Sequence, residues 1–585
     1  MSRGGFARRD IPAFRRTQVE PAYSMTRIGA GALGGKAQGL ATVADALESA
    51  FREERYGDFD VVVPRLTVLT ADVFEAFMAR NDLYDAAFSD RPDDRIAHAF
   101  QQAALPTEIV GDLKALSDQV HTPLAIRSSS LLEDALFRPF AGVYQTKMIP
   151  NNQPDSAVRF QKLVEAIKFV YASTYFKRAK DYIRATDKTS HDEKMGVVIQ
   201  EVLGNRHGER YYPDVSGVCR SYNFYPTVRC RPEEGVVNLA LGLGKTIVDG
   251  AITWCYSPAR PKLPPPFAST HELLQNTQTE FWAVNIGRIP KFDPIAESEY
   301  LVKCDLATAD YDGVLSAVAS TYDAGADRMV AGTGLRGPRA LTFAPLLELE
   351  QYRLNDVLGV LLSLCERTIG AEVEIEFAMT VPARGGRARP CLGLLQVRPM
   401  VVSDELVEIR DEEEARSNVL VTSDRAMGNG MIDTIRDVVY VKPGAFEAKY
   451  TRVIAEHLER LNARLMSEKR PYLLIGFGRW GSCDPWLGIP VDWGQICGAK
   501  VIVEATVPSM TVEASQGSHF FHNLSSFEVC YLCVSHNTKP AIDWEWLNAQ
   551  TVADETAFVR HARLEQPIVV KVDGREGRGA IWRPE

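Results

Sequence analysis

Long apolar runs, an excess of positive charge and a dense set of cysteines are all missing from this 585-residue chain. No stretch of about eighteen apolar residues occurs, so no membrane-spanning helix and no membrane partner are expected. The net charge of −10 and a pI of about 5.7 argue against a protein held to nucleic acid by a basic surface. Positive charge gathers only in the N-terminal tail, at Arg3, Arg8, Arg9, Arg15 and Arg16. That tail lacks the apolar core of a signal peptide, and residues 1–24 read as a flexible basic arm. Ten cysteines scattered along the chain make no disulfide framework and fit a reducing cytoplasm. Cys530 and Cys533 form a lone C-x-x-C inside Phe527–Val534, which reads as a buried strand. With no second pair nearby, zinc is not expected.

What is present is an ordinary globular composition, 45% hydrophobic and 24% charged. The length calls for roughly two to four domains. A glycine-rich turn, Gly29 to Lys36, leads into an alanine-rich helix. Val61 to Leu69 reads as a strand, and Thr70-Ala71-Asp72 caps a helix carrying Val73, Phe74 and Phe77. Residues 155–185 read as one long amphipathic helix, and Met195–Val202 and Val236–Leu241 as strands. Residues 258–300 are proline-rich and read as loop. Residues 345–370 read as helix. Glu372–Met379 and Leu392–Val397 then read as two antiparallel strands. A charged stretch, 404–416, precedes a region rich in Trp and Gly, which places a domain boundary near 403.

Several segments carry chemistry. Ile126-Arg127-Ser128-Ser129-Ser130 ends an apolar strand with an arginine and three hydroxyls, and Glu133-Asp134 and Gly142 follow. Arginine, hydroxyls and backbone N–H groups suit phosphate. The same serines would also serve as helix N-caps, with Glu133 in capping-box spacing. Lys36 after paired glycines suits phosphate, yet the segment is no Walker A loop, since Ala30 and Ala37 occupy required positions. Gly244-Lys245-Thr246 fails the same pattern at Leu239. On a strand, residues two apart share a face, so Glu374 points with Glu376, and Gln396 with Arg398. If the strands pair, oxygen donors suited to Mg²⁺ converge with a guanidinium; the alternative is a solvated ion pair.

These segments, in this order, resemble the N-terminal nucleotide-binding domain of phosphoenolpyruvate synthase and pyruvate phosphate dikinase. The resemblance runs through Gly34-Gly35-Lys36, Val63-Pro64 with Thr67 and Thr70, Ile126 to Ser129 with Glu133-Asp134 and Phe140-Ala141-Gly142, and Val197 to Gln200. It continues through Ser216-Gly217-Val218, Gly242-Leu243-Gly244, Ile375-Glu376-Phe377 and Leu395 to Pro399, covering about residues 25–402. It implies an α+β, ATP-grasp fold whose lobes, 25–205 and 206–402, clamp ATP. By residue-wise carry-over it implies phosphate contacts from Arg127, Arg398 and Lys36. Glu376 and Gln396 would ligate Mg²⁺. Gly142 and Thr146 would lie along the phosphates, and Gln200, Glu201 and Leu203 beside adenine.

Departures limit the carry-over. Lys245 stands where an acidic residue is usual, Phe377 replaces a tryptophan, and residues 258–345 match nothing in the family's pattern. The family's phosphohistidine segment and phosphoenolpyruvate barrel are absent from this sequence, so neither the relay nor pyruvate as substrate carries over. The region 403–585, read as an α/β domain of unknown type, would then present or bind the acceptor. Its densest cluster holds Arg479, Trp480 and Asp484, tentative substrate residues whose rival reading is a tryptophan-stapled turn. His519 and His522, three apart, are candidate nucleophile or base; a structural role is the alternative. The reading is therefore an ATP- and Mg²⁺-dependent kinase or dikinase acting on a small-molecule or protein acceptor, with a homodimer as one option. The alternatives are a nucleotide sensor without turnover and an ATP-grasp ligase working through an acyl-phosphate.

Overall fold

The computed structural model describes residues 11–17, 25–51, 59–130, 143–184, 193–224, 230–263, 267, 269–382, 388–400, 402, 407–482, 484–507, 524, 527, 529–537 and 542–584. Among them the chain is a mixed α and β protein, with strands in six sheets. A five-stranded sheet is formed by Met25–Ile28, Leu66–Leu69, Met195–Glu201, Leu124–Ser130 and Thr146–Ile149, in that spatial order. Its central strands are buried along nearly their whole length because helices cover them. Ser128, Ser129 and Ser130 belong to the strand itself, opposite Val197, Gly196 and Met195, rather than to a helix cap.

The second sheet has six strands, with Val215–Arg220, Val373–Thr380 and Cys391–Pro399 side by side. The two antiparallel strands expected at Glu372–Met379 and Leu392–Val397 are found, the first shifted by one residue and the second longer at both ends. Its edge is Asp60–Val62, parallel to Cys391–Gly393, so the stretch 25–205 supplies strands to both sheets. The alanine-rich helix, Gly35–Phe51, buries Leu40, Val43 and Leu47 in the same apolar cluster as the second sheet.

The stretch read as one helix over 155–185 is two, Ser156–Ser173 and Lys177–Arg184. Asp155 caps the first by accepting from Ala157 N at 2.8 Å. The break comes where Tyr175 turns into an aromatic cluster with Phe74 and Phe88. Residues 258–300, read as loop, contain the helix Thr270–Gln275 and the strand Glu280–Asn285. That strand pairs with Leu301–Asp305 and buries Phe281, Ala283 and Val284, a short apolar run that the preceding prolines disguise.

From Val419 onward the described strands form a nine-stranded sheet, apart from the short parallel pair Arg479–Trp480 and Gly488–Ile489. Asn429–Val441, Tyr472–Phe477, Ala499–Ala505 and Cys530–Val534 run parallel in its middle. The helix Thr451–Ser467 crosses between the first two and buries Ile454, Leu458, Leu461 and Leu465, an i, i+4, i+7, i+11 stripe. The apolar core of this sheet is continuous with that of the five-stranded sheet and its helices.

Candidate functional site

The glycine turn and the serine strand are built against each other. Gly34 has φ of +81°, and a Cβ there would overlap the carbonyl oxygen of Ser129, so only glycine fits. Ser129 Oγ donates to Leu33 O at 3.0 Å and accepts from Ala37 N at 3.2 Å. Lys36 Nζ donates to Ser128 O and Ser128 Oγ, both at 3.1 Å. On the far side of the turn, Asp72 accepts from Ala30 N at 3.0 Å and Gly31 N at 2.9 Å. Partial burial opposes ionisation of Asp72, but hydrogen bonds from Thr70, Ala30 and Gly31 hold its carboxyl below the usual range. The serines thus fix the position of Lys36 and its turn, a role that their capping or phosphate readings did not contain.

Arg127 leaves the first sheet and reaches the second. Its guanidinium donates to Glu376 Oε2 and Gln396 Oε1, both at 2.8 Å, and to Leu395 O at 3.0 Å. Glu376 and Gln396 are cross-strand partners in the second sheet, so a carboxylate and an amide oxygen stand together under one cation. Thr146 lies opposite Arg127 in the first sheet. One rung further along, Glu374 faces Arg220 and Arg398. Arg220 Nε donates to it at 2.6 Å and Arg398 Nε at 2.8 Å. Full burial opposes the charge on Glu374, but Arg398 and Arg220 hold its carboxyl below the usual range. Arg398 is only 2% exposed and is engaged by this carboxylate on the face it shares with Gln396.

These walls enclose a cavity of about 280 Å³ between the two sheets. Lys36, Arg127, Thr146, Glu376 and Gln396 line it, and so do Gln200, Glu201, Val202 and Leu203 along one side. Gln200 is 2% exposed, and its Nε2 has no acceptor among the described residues, which leaves a buried donor for a ligand. Arg479 to Ser482 and Val491 to Trp493, from the C-terminal region, line the cavity as well. Arg479 donates to Gly250 O at 3.3 Å.

The other two tentative substrate residues sit differently. Trp480 belongs to the cavity lining, but its indole is wholly buried, donates to Val503 O at 3.3 Å and packs over Gly476. Asp484 is outside the cavity lining and accepts from Trp486 N at 2.9 Å within its own turn. Gly142, His519 and His522 lie outside the described residues. Charged cavity residues that the motifs did not single out are Arg178, Asp249, Glu297 and Asp492. Glu297 falls in the stretch read as loop. Only Asp492 left a local signal, the Asp492–Gln495 capping-box spacing seen in the structure.

The cavity between the two sheets is thus walled by a lysine, an arginine and paired oxygen donors. Residues 30–257 match the family model of the pyruvate phosphate dikinase AMP/ATP-binding domain. The strands carrying Glu376, Gln396 and Arg398 lie beyond the matched residues. The chain is also 24% identical over 191 residues to the uncharacterized phosphotransferase YvkC of Bacillus subtilis (strain 168). That match covers 33% of this chain and 20% of the relative. Among the described residues, no helix is long and apolar enough to cross a membrane.

Proposed function

We propose that the protein is an ATP-dependent phosphotransferase whose two sheets form an ATP-grasp clamp, with a Mg²⁺ ion between the nucleotide and the second sheet. The observation that carries this reading is Arg127, which spans from the first sheet to Glu376, Gln396 and Leu395 O across a cavity in an AMP/ATP-binding domain. Adenine lies along Gln200 to Leu203, where Gln200 Nε2 offers a buried donor. Lys36, pinned by Ser128, and the Arg127 fork hold the phosphates. Arg398 acts one rung behind, keeping Glu374 and its strand in place.

The donor set fits the ion. Glu376 and Gln396 are hard oxygen ligands side by side, and Arg127 already neutralises the carboxylate that a cation would neutralise. Among the described residues no cluster of three or more His, Cys, Asp or Glu forms a complete metal cage. Two protein oxygens suit Mg²⁺, which keeps waters and phosphate oxygens as its other ligands. When bound, it would supply charge neutralisation of the transferred phosphoryl group.

The test is incubation with Mg²⁺ and ATP alone and with candidate acceptors, resolving AMP from ADP and weighing the intact protein for a phosphoenzyme. Nucleotide consumption is expected. An Arg127→Lys variant should bind a non-hydrolysable ATP analogue at least about tenfold more weakly, because an ammonium cannot make the planar, multi-acceptor contact of the guanidinium. A wild-type protein that binds no nucleotide in a calorimeter would sink the reading.

A further inference from the structure

One cluster of charged residues in the cavity lining has a character of its own. It holds Arg178, Lys245 and Arg479 together with Asp249, Glu297 and Asp492. Lys245 Nζ stands 3.3 Å from Asp249 and 3.6 Å from Glu297, and Arg178 stands 3.4 Å from Asp492. Three cations against three carboxylates leave no excess charge to hold an anionic acceptor. Among the described residues of the lining there is no histidine or cysteine.

The cavity's carboxylates differ in how they are held. Glu376 is gripped by Arg127, and Glu201 accepts from Thr122 at 2.8 Å. Asp492 caps its own turn, and Asp249 pairs with Lys245 one helical turn away. Glu297 pairs with Lys245 at 3.6 Å, sharing that ammonium with Asp249, and has Asp249 and Arg178 as its other charged neighbours. Burial pushes its carboxyl above the usual range.

Glu297 is also held with unusual care. It sits in a turn built around a buried ammonium, Lys147 of the first sheet. Lys147 Nζ donates to Pro294 O and Ala296 O, both at 2.9 Å, and pairs with Glu299 at 2.7 Å. Lys147 and Glu299 are each 1% exposed. A fully buried ion pair is a costly way to shape a loop, and its return here is a fixed direction for the residue between its anchors.

We propose that this charged cluster marks the acceptor subsite, that the acceptor is an uncharged molecule bearing a hydroxyl group, and that Glu297 is the general base. This rests on the phosphotransferase reading above. The acceptor oxygen forms a bond to the terminal phosphorus of ATP. The bond from that phosphorus to its bridging oxygen breaks, and the electron pair stays with ADP. The hydroxyl proton passes to the Glu297 carboxylate.

The test uses the full chain and the variant Glu297→Gln, whose side chain is at the cavity wall rather than in the core. Calorimetry measures ADP with Mg²⁺, then ADP with Mg²⁺ and aluminium fluoride, a mimic of the transferring phosphoryl group with water as the attacking hydroxyl. Phosphorus NMR measures glycerol phosphate formed from ATP and concentrated glycerol. Glu297→Gln should bind ADP within twofold of wild type. It should lose at least about tenfold of the tightening by aluminium fluoride, and form glycerol phosphate about 100-fold more slowly. Equal tightening in both proteins, or none in either while ADP binds, overturns the acceptor subsite and leaves nucleotide binding standing. Absence of ADP binding to wild type removes the phosphotransferase reading itself.

Discussion

At the scale of single residues, the site is organised by groups whose partners are far away in sequence. Asp214 shows how such a group makes the fold pH-sensitive. It is 4% exposed, accepts from Val381 N at 2.6 Å and from Asn205 Nδ2 at 3.2 Å, and adjoins Pro213 at the cavity edge. Burial pushes its carboxyl up from 3.8 to about 6. The folded state therefore holds a proton that the unfolded chain releases. Its contribution is fully present below about pH 4 and is lost as pH rises through about 6. Asp214→Asn keeps an oxygen acceptor and removes the ionisation. The variant should be more stable than wild type above pH 7 by about 3 kcal/mol at most, and equal to it near pH 4. Urea unfolding across that range checks this, and a pH-independent difference would show that Asp214 ionises normally.

At the scale of elements, the turn at 293–299 is an element held by one side chain of another. Lys147→Met would strip a buried donor from Pro294 O, Ala296 O and Asp293 O and leave Glu299 uncompensated. Glu299→Gln would keep the ammonium on its carbonyls. Lys147→Met should therefore be the more destabilising of the two, by on the order of 1–3 kcal/mol. Equal losses would mean that the carbonyl contacts contribute nothing. This turn also marks where sequence reading stops. The pairing of Val373–Thr380 with Cys391–Pro399 was legible because period-two patterning puts Glu376 and Gln396 on one face. The glycine turn was legible from Gly34-Gly35-Lys36. The serines were visible, but their strand pairing, and the way Ser128 and Ser129 clamp the turn, depend on neighbours about ninety residues away. Glu297 was hidden because an irregular segment has no period, and its position is set by Lys147 rather than by its own sequence. Trp480 was visible as a residue of interest, but its local sequence does not reveal that the indole is wholly buried and bonded to Val503 O.

At the scale of the whole molecule, the question is whether the nucleotide cavity and the nine-stranded sheet behave as one unit. The apolar core runs without a break from the five-stranded sheet and its helices into the nine-stranded sheet. Polar ties add to it on both sides of the cavity. Lys177 pairs with Glu459 and Arg178 with Asp492 on the side of the first sheet, and Arg479 reaches Gly250 O on the side of the second. Exposed pairs of this kind each contribute little, at most about 1 kcal/mol, so the shared core dominates the coupling. A ligand that binds only the folded state adds about 2.7 kcal/mol at 100 times its Kd, and it adds this to whatever unfolds together with its site. Six of the eight tryptophans, Trp480, Trp486, Trp493, Trp544, Trp546 and Trp582, lie in the C-terminal region, so tryptophan fluorescence reports mainly from there. A non-hydrolysable ATP analogue should therefore raise the fluorescence-detected melting temperature as much as the one seen by far-UV circular dichroism. If the analogue shifts only the dichroism transition, the two parts unfold separately, and the walls contributed by Arg479 and Asp492 are a contact that opens without cost to the nucleotide site. If both transitions move together, nucleotide binding also stabilises the walls contributed by Arg479 and Asp492, the side proposed for the acceptor.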